Sequence, residues 1–282
     1  MLPKSVILYI TSHCPLKCSH CFLTRSGELN KSELSFDEII RILDDLQENK
    51  VFLLAIAGGD PILHERFFEI AAEARRRSIL PLVALTGLSI DSATAEKIYD
   101  VGIPCVQIGL DGSSDQKNAF YRGDGTFELI KASVINMQKA NIKVNVSFCI
   151  DQNNVEDVEA MLKFALELGF YKVKITFWRS EVASFDDKHK ELNIRERYFI
   201  ADICEKFQDQ HRLDEWIVSP SPIISEGSLA SIHRKALVIK SDGEIALDEF
   251  KESIGNIKEG TPSFFYEKFV KMMEMSERNE FV

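Results

Sequence analysis

The sequence has no long apolar run, no excess of positive charge and few cysteines, and each shortage excludes a class of protein. No apolar stretch approaches the roughly 20 residues of a membrane-spanning helix, and the first residues lack the small-residue cleavage site of a secretory signal. Lys and Arg number 34 against 44 Asp and Glu, which argues against nucleic acid or an anionic membrane as a partner. We therefore expect a soluble cytoplasmic protein.

The 6 cysteines are too few for a disulfide scaffold in a chain of 282 residues. Cys14, Cys18 and Cys21 are clustered, whereas the others are scattered. Without a signal peptide, clustered cysteines more often indicate metal or redox chemistry than disulfide bridges. The remaining composition, 45% hydrophobic and 28% charged, is that of an ordinary globular protein.

Short β-branched runs alternate with helical stretches along the first part of the chain. The runs with strand composition are 5–11, 51–57, 80–86, 105–111, 143–149 and 172–178. The segments between them carry apolar residues at helical spacing. This alternation predicts parallel strands with right-handed crossovers. We therefore predict an α/β fold, a partial (β/α)6 TIM-like barrel over residues 1–180.

Beyond residue 180 the alternation stops, and we predict a C-terminal helix and β-hairpin extension over residues 181–282. A helix is expected around 192–210, followed by a Pro/Ser turn region from Ser219 to Pro222. The hairpin turns at Asp242-Gly243, and a last helix begins near Ser263. No linker is long enough to separate two independent domains.

The C-x3-C-x2-C spacing places three thiols just after the first predicted strand. In parallel α/β folds, ligands bind outside the carboxyl ends of the strands. Three thiolates on one loop leave a fourth coordination position open, as a catalytic metal requires. Because sulfur-rich tetrahedral sites suit zinc as well as iron, the spacing alone leaves alternatives open. They are an iron–sulfur cluster, a zinc knuckle completed by His13 or His20, and unbonded buried thiols.

This array resembles the signature of the radical S-adenosylmethionine (radical SAM) superfamily, and the resemblance covers residues 5–178. The run 58–61, Gly-Gly-Asp-Pro, is similar to the family's GGEP motif, where glycine allows close backbone approach to the methionine amino group. Relatives have a threonine–asparagine–glycine run after the third strand, and of these three residues this sequence keeps only the threonine, Thr86. The segment 106–127 resembles the fourth-strand region of the peptide- and cofactor-modifying branch, with Gly109 in place of the usual serine. Its matching residues are Asp111, Gly112, Arg122, Gly125 and Phe127.

The resemblance implies one [4Fe-4S] cluster held by Cys14, Cys18 and Cys21, with S-adenosylmethionine bound to the fourth iron. It further implies reductive cleavage to a 5′-deoxyadenosyl radical, hydrogen abstraction from a substrate, and an electron donor such as flavodoxin or ferredoxin. The expected cofactor-binding residues are His20, Gly58, Gly59, Asp60, Pro61, Thr86, Gln107, Asp111 and Arg122.

Alternation along the strands predicts which side chains face into the barrel. The inward set is polar on three strands: Gln107, Gly109 and Asp111; Asn145, Ser147 and Cys149; Lys174, Thr176 and Trp178. Since a TIM barrel fills its interior with branched apolar residues, a polar interior predicts a wide barrel that holds a ligand. Buried polar residues bonded to one another are the alternative.

The hairpin segment 236–257 resembles the start of the SPASM extension, which carries auxiliary-cluster cysteines in relatives. Ala230 and Asp248 stand where the first two would be, so we predict a SPASM-like extension without an auxiliary cluster. That favours redox-neutral outcomes such as epimerisation, which needs a hydrogen donor. Cys149 is the first candidate and Cys204 the second, although each can also be a small buried hydrophobic residue.

These features favour a radical SAM enzyme that modifies a ribosomal peptide by epimerisation or cross-linking. A second hypothesis is a radical SAM enzyme for an aminosugar, nucleoside or other small-molecule natural-product intermediate. A hypothesis of a different class is a zinc-binding scaffold without radical chemistry.

Overall fold

The structure, a computed structural model, describes residues 2–25, 27, 29, 32–179, 189–218, 237–247 and 253–279. The strands in these ranges are β1 (Ser5–Thr11), β2 (Leu53–Gly58), β3 (Leu80–Leu85), β4 (Cys105–Gly109), β5 (Lys143–Ile150), β6 (Lys172–Phe177), β7 (Ile217–Val218), β8 (Leu237–Ile239), β9 (Glu244–Ala246) and β10 (Gly255–Asn256). The helices are α1 (Phe22–Arg25), α2 (Phe36–Glu48), α3 (Phe67–Arg76), α4 (Ser92–Asp100), α5 (Asp115–Arg122), α6 (Thr126–Lys139), α7 (Val158–Glu167), α8 (Ile194–His211) and α9 (Pro262–Asn279).

Strands β1 to β6 are parallel and adjacent in chain order, with helices between successive strands. This confirms the predicted α/β fold of partial TIM-barrel type, and each predicted strand lies within two residues of the observed one. Helix α2 begins after Ser35, because the side chains of Ser35 and Glu38 form a capping box there.

The side chains of the strands alternate between a buried and a partly exposed face. On β5, Val146 and Phe148 are fully buried in the hydrophobic core, while Ser147 and Cys149 are partly exposed. The apolar face packs against the surrounding helices, and the small and polar face is left for the interior. The predicted alternation is therefore present in the structure.

The C-terminal extension continues the sheet of the core. Strand β8 pairs in parallel with β1, and β9 and β10 follow in antiparallel order. At the other edge β7 pairs with β6. The predicted hairpin joins β8 to β9, and helix α9 is held to α2 by Ser263, whose backbone N–H donates to the carboxylate of Asp45 at 2.9 Å.

Some predicted features of the extension lie outside the described residues. These are the turn region from Ser219 to Pro222 and the two empty auxiliary-cluster positions, Ala230 and Asp248. No helix in the described part of the chain is long and apolar enough to cross a membrane.

Candidate active site

The three clustered cysteines line one cavity at the carboxyl ends of the parallel strands. The cavity has a volume of about 460 Å³, and Cys14, Cys18 and Cys21 enter it from the loop after β1. Each of the strands β2 to β6 also contributes lining residues. Parallel strands bring their carboxyl ends to one rim, which is why segments far apart in the sequence meet here.

Most of the predicted site residues share this cavity. Besides the cysteines, the predicted residues that line it are His20, Gly58, Gly59, Thr86, Gln107, Asp111, Arg122 and Cys149. Asp60 and Pro61 are not among the residues that line it, and both are buried. Cys204 lies elsewhere, on the face of α8 that packs into the hydrophobic core with Ile200 and Phe207. This position matches the alternative stated for it above, a small buried hydrophobic residue, and it places Cys204 outside the cavity.

The Gly58-Gly59 pair packs directly against the backbone of the cysteine loop. The N–H of Gly59 donates to the carbonyl of Thr11 at 2.9 Å, and the N–H of Asp60 donates to the carbonyl of His13 at 2.7 Å. A Cβ atom at Gly58 would lie 2.2 Å from the Thr11 carbonyl oxygen, and Gly58 has a φ of +148°. Contact between two chain segments thus requires these glycines, in addition to the expected approach of a ligand.

Asp60, which replaces the glutamate of the family motif, ties the ends of β2 and β3 together. Its carboxylate accepts hydrogen bonds from the hydroxyl of Thr86 and, at 3.4 Å, from its backbone N–H. Burial raises the pKa of Asp60, although the bonds from Thr86 act in the opposite direction. The shorter side chain is accommodated because its partner lies within the protein, on the next strand.

Asp111 and Arg122 form a buried ion pair at the wall of the cavity. Nε of Arg122 donates to Oδ2 of Asp111 at 2.6 Å, and the two side chains are 12% and 0% exposed. Oδ1 of Asp111 accepts the backbone N–H of Cys149 at 3.0 Å, and Nε2 of His20 lies 3.3 Å from Oδ2. Asp111 therefore fixes groups from the cysteine loop, α5 and β5 in one place.

Gly109 leaves the space that the Arg122 guanidinium occupies. A Cβ atom at Gly109 would lie 2.2 Å from Nη2 of Arg122 and 2.7 Å from Cζ. Any larger residue, including the serine usual at this position in the resembling segment, would have to displace the guanidinium. In this chain, Gly109 therefore makes room for the position that the Arg122 guanidinium takes.

The thiols of the cysteine loop suit a positively charged metal centre. Burial raises the pKa of Cys14, and it raises that of Cys18 to about 12, so each thiolate needs a cation close by. A metal supplies that cation and deprotonates the thiols that coordinate it. The donor set therefore fits an iron–sulfur cluster that takes one ligand from each cysteine.

The histidines proposed to complete a zinc knuckle have other partners. Nδ1 of His13 lies 2.7 Å from the carboxylate of Glu33, and Nε2 of His20 faces Asp111. In the described residues, no three His, Cys, Asp or Glu side chains lie close enough to hold a single metal ion. Nδ1 of His20 is buried without a hydrogen-bond partner among those residues, and burial lowers its pKa to about 4. His20 is thus a neutral ring that can meet a ligand in the cavity.

One residue beside the site has no sequence signal. His189 contacts the cysteine loop through Ser19 but belongs to no motif, and it lies 170 residues away in the sequence. Its contacts, with Ser19 and Asp151, join residues that are far apart in the sequence. Only the folded structure could identify it.

Comparison with known proteins agrees with this geometry. The Radical SAM superfamily profile matches residues 8–165. Fe-coproporphyrin III synthase of Methanosarcina barkeri is 31% identical over 159 residues, 56% of this chain and 40% of that protein. Mycofactocin maturase MftC of Mycobacterium tuberculosis is 27% identical over 219 residues, 77% of this chain and 52% of that protein. This chain thus spans about half, or less, of the length of these relatives.

Solved structures share the fold at low sequence identity. Streptococcus suis SuiB bound to its precursor peptide SuiA superposes with a TM-score of 0.78 at 14% identity, over 94% of this chain and 65% of that one. Native anSMEcpe with bound AdoMet gives 0.74 at 17% identity, over 93% and 80%. The match to the family profile covers more than half of the chain. The chain therefore belongs to the radical SAM superfamily, which uses a [4Fe-4S] cluster and S-adenosylmethionine, and it has homologues in the SPASM/twitch-type maturase group.

Proposed function

We propose that this protein is a radical SAM enzyme that modifies a peptide by epimerisation or cross-linking, and that of the two the redox-neutral reaction, epimerisation, is favoured. The observation that carries the proposal is the convergence of the cysteine loop, the Gly-Gly turn and small or polar strand residues on one cavity. A cavity of about 460 Å³ lies within the range of cofactor sites. The small inward side chains leave room for a substrate beside the cofactor.

When bound, the cluster supplies the electron that cleaves S-adenosylmethionine to methionine and the radical that removes hydrogen from the substrate. The residues of the chain bind and orient the reactants. Cys14, Cys18 and Cys21 would hold the cluster, and the backbone at the Gly58-Gly59 turn would meet the methionine end of the cofactor. The Nη groups of Arg122 are free of Asp111, which bonds to Nε, and they offer a planar pair of donors for a carboxylate.

Within the cofactor site, residues that line the cavity have a different role from those behind it. His20, Thr86 and Gln107 line the cavity and meet the cofactor directly. Asp60 and Pro61 are buried outside the lining of the cavity and act by position, Asp60 through its bonds to Thr86. Electrons come from a small redox protein such as flavodoxin or ferredoxin.

Relatives support a peptide substrate. SuiB was solved with its precursor peptide SuiA, and PqqA peptide cyclase of Granulibacter bethesdensis is 25% identical over 176 residues. A second candidate follows from other relatives whose names refer to haem compounds, Fe-coproporphyrin III synthase and pre-heme d1 synthase. A small-molecule substrate of that kind is the alternative function.

The two candidates differ in what the reconstituted enzyme consumes. The anaerobic holoenzyme is incubated with S-adenosylmethionine and a reductant, together with either a short peptide encoded beside its gene or an iron coproporphyrin. The proposal expects 5′-deoxyadenosine formation coupled to modification of the peptide, detected by mass spectrometry after digestion and by chiral analysis of the residues. If 5′-deoxyadenosine formation is coupled to modification of the porphyrin and not of the peptide, the substrate is the small molecule.

Replacing Cys149 by alanine is expected to separate hydrogen abstraction from product formation. Cys149 lines the cavity at the end of β5, and burial raises the pKa of its thiol to about 12. The thiol thus keeps its hydrogen at neutral pH, as a donor of a hydrogen atom must. In an epimerase, Cys149→Ala should still form 5′-deoxyadenosine but lose nearly all of the inverted product, measured by chiral amino-acid analysis.

A second measurement on Cys149 uses deuterated water, in which the exchanged thiol should label the inverted carbon of the wild-type product. Cys105→Ala serves as the matched control, since Cys105 is a partly exposed cysteine at the start of β4 that does not line the cavity. Full yield of labelled, inverted product from Cys149→Ala would remove Cys149 from the donor role.

Replacing Gly109 by alanine is expected to weaken the binding of S-adenosylmethionine by at least about tenfold, or about 1.4 kcal/mol. The added methyl group would overlap the Arg122 guanidinium and push it out of its position against Asp111. The dissociation constant, measured by anaerobic calorimetry on the holoenzyme, checks this, while the visible absorbance of the cluster should be unchanged. Gly260→Ala is the control, because an added Cβ there meets only side-chain carbons at 3.1 Å. Equal affinity in both variants would contradict the role given to Gly109.

A further inference from the structure

A buried histidine that does not line the cavity bridges the cysteine loop and the end of β5. The His189 side chain is 0% exposed, and its Nδ1 lies 2.5 Å from Oδ2 of Asp151. On the opposite side of the ring, Nε2 lies 2.9 Å from Oγ of Ser19. Ser19 stands between two of the cluster cysteines, Cys18 and Cys21. One imidazole thus connects the cluster-binding turn to the barrel.

Both ends of this bridge are anchored by further bonds. Asp151 accepts the hydroxyl of Tyr121 at 2.7 Å and the backbone N–H of Asn153 at 2.7 Å. Burial alone would raise the pKa of Asp151, but the bonds from His189, Tyr121 and Asn153 lower it, so the carboxylate stays an acceptor. On the other side, the backbone N–H of Ser19 donates to the carbonyl of Tyr121 at 2.9 Å. The bridge is therefore built on groups that are themselves fixed.

Aromatic rings enclose the bridge on the cavity side. The His189 ring centroid lies 5.7 Å from that of Trp178 and 6.2 Å from that of His20. Trp178 and His20 line the cavity, whereas His189 stands behind them. The hydrogen bond to Ser19 is the direct contact of His189 with the cysteine loop between Cys18 and Cys21.

We propose that His189 is a positioning residue that holds the Cys18–Cys21 turn in its cluster-binding conformation through the hydrogen bond to Ser19. The imidazole suits this task because its two nitrogens point in different directions, so one ring can bond to Asp151 and Ser19 at once. Without the bridge, Ser19 still reaches the carbonyls of Phe120, at 3.2 Å from its hydroxyl, and Tyr121, at 2.9 Å from its backbone N–H, but the turn loses its link through His189 to Asp151. The proposal concerns the cluster alone and is independent of the identity of the substrate.

The test compares Ser19→Ala, His189→Asn and the double variant as anaerobic holoenzymes. Asparagine can replace Nδ1 against Asp151 but is too short to reach Ser19. Each single variant should release iron to a ferrous chelator about tenfold faster than the wild type, the effect of losing one hydrogen bond within a charged network. The electron paramagnetic resonance spectrum of the reduced cluster, without S-adenosylmethionine, should change in the same way in both variants.

The double variant distinguishes a bridge from simple packing. Ser19→Ala removes the bond to His189 and also the contact of the hydroxyl with the carbonyl of Phe120. If the two residues act through their shared bond, the double variant should lose iron no faster than Ser19→Ala. Ser133→Ala is the matched control. Ser133 is a buried serine of α6 whose hydroxyl accepts the backbone N–H of Ile90 at 3.1 Å, and this variant should behave as wild type. Wild-type iron release and spectrum in Ser19→Ala, or additive effects in the double variant, would overturn the proposal.

Discussion

Replacing Cys14, Cys18 and Cys21 together by alanine is expected to remove the broad visible absorbance of the anaerobically reconstituted protein and to abolish 5′-deoxyadenosine formation. The three thiols enter one cavity from one loop, and burial raises the pKa of Cys14 and Cys18, which a coordinated metal cation would offset. Cys149, which also lines the cavity, cannot substitute for three ligands. Absorbance, iron content and product formation, measured on the same samples, check this expectation.

Two controls make the experiment specific to the loop. Cys105→Ala and Cys204→Ala remove cysteines outside the cavity and should leave absorbance and turnover near wild type. A homogeneous wild-type sample should contain close to the four irons of one cluster per chain. Close to eight irons would reveal a second cluster, and a colourless wild-type protein with tightly bound zinc would favour the scaffold hypothesis over radical chemistry.

The positions of the strands were predictable because each strand has its own run of β-branched and apolar residues. Some of the strand ends were not predictable. The fourth strand was predicted to extend to residue 111, but β4 ends at Gly109. Its last predicted residue, Asp111, pairs with Arg122 and Cys149. Alternation along a chain segment is a local property. The pairing that ends the strand comes from contacts that only the fold creates.

The same distinction applies to the site. Motif spacing predicted one site for the cysteines, the glycine pair and Arg122, and these residues do line one cavity, because each motif has a fixed place relative to a strand. Motif spacing did not show that the carboxylate of Asp60 bonds to Thr86, nor did it explain why residue 109 is a glycine. Both depend on which side chain from another strand or helix fills the neighbouring space. Packing between segments that are distant in the sequence leaves no regular residue spacing, so a single sequence does not reveal it.

Replacing Arg122 is expected to affect stability and cofactor binding by separate routes. Arg122→Ala leaves Asp111, which is 0% exposed, as a buried carboxylate without its cation, so the free energy of unfolding should fall by about 3–5 kcal/mol. Arg122→Lys keeps the positive charge but not the planar fork of donors. It should therefore keep most of the stability and still bind S-adenosylmethionine at least about tenfold more weakly. Urea denaturation and anaerobic calorimetry measure the two quantities.

The Arg122→Ala, Asp111→Asn double variant separates the two effects. Asparagine removes the unpaired charge yet keeps an oxygen for the backbone N–H of Cys149, which lies 3.0 Å from Oδ1 of Asp111. Stability should therefore recover in part relative to Arg122→Ala, whereas cofactor affinity should remain low because the guanidinium is still missing. A wild-type dissociation constant in Arg122→Lys would place the guanidinium outside the cofactor site. A wild-type free energy of unfolding in Arg122→Ala would show that the ion pair with Asp111 does not stabilise the folded protein.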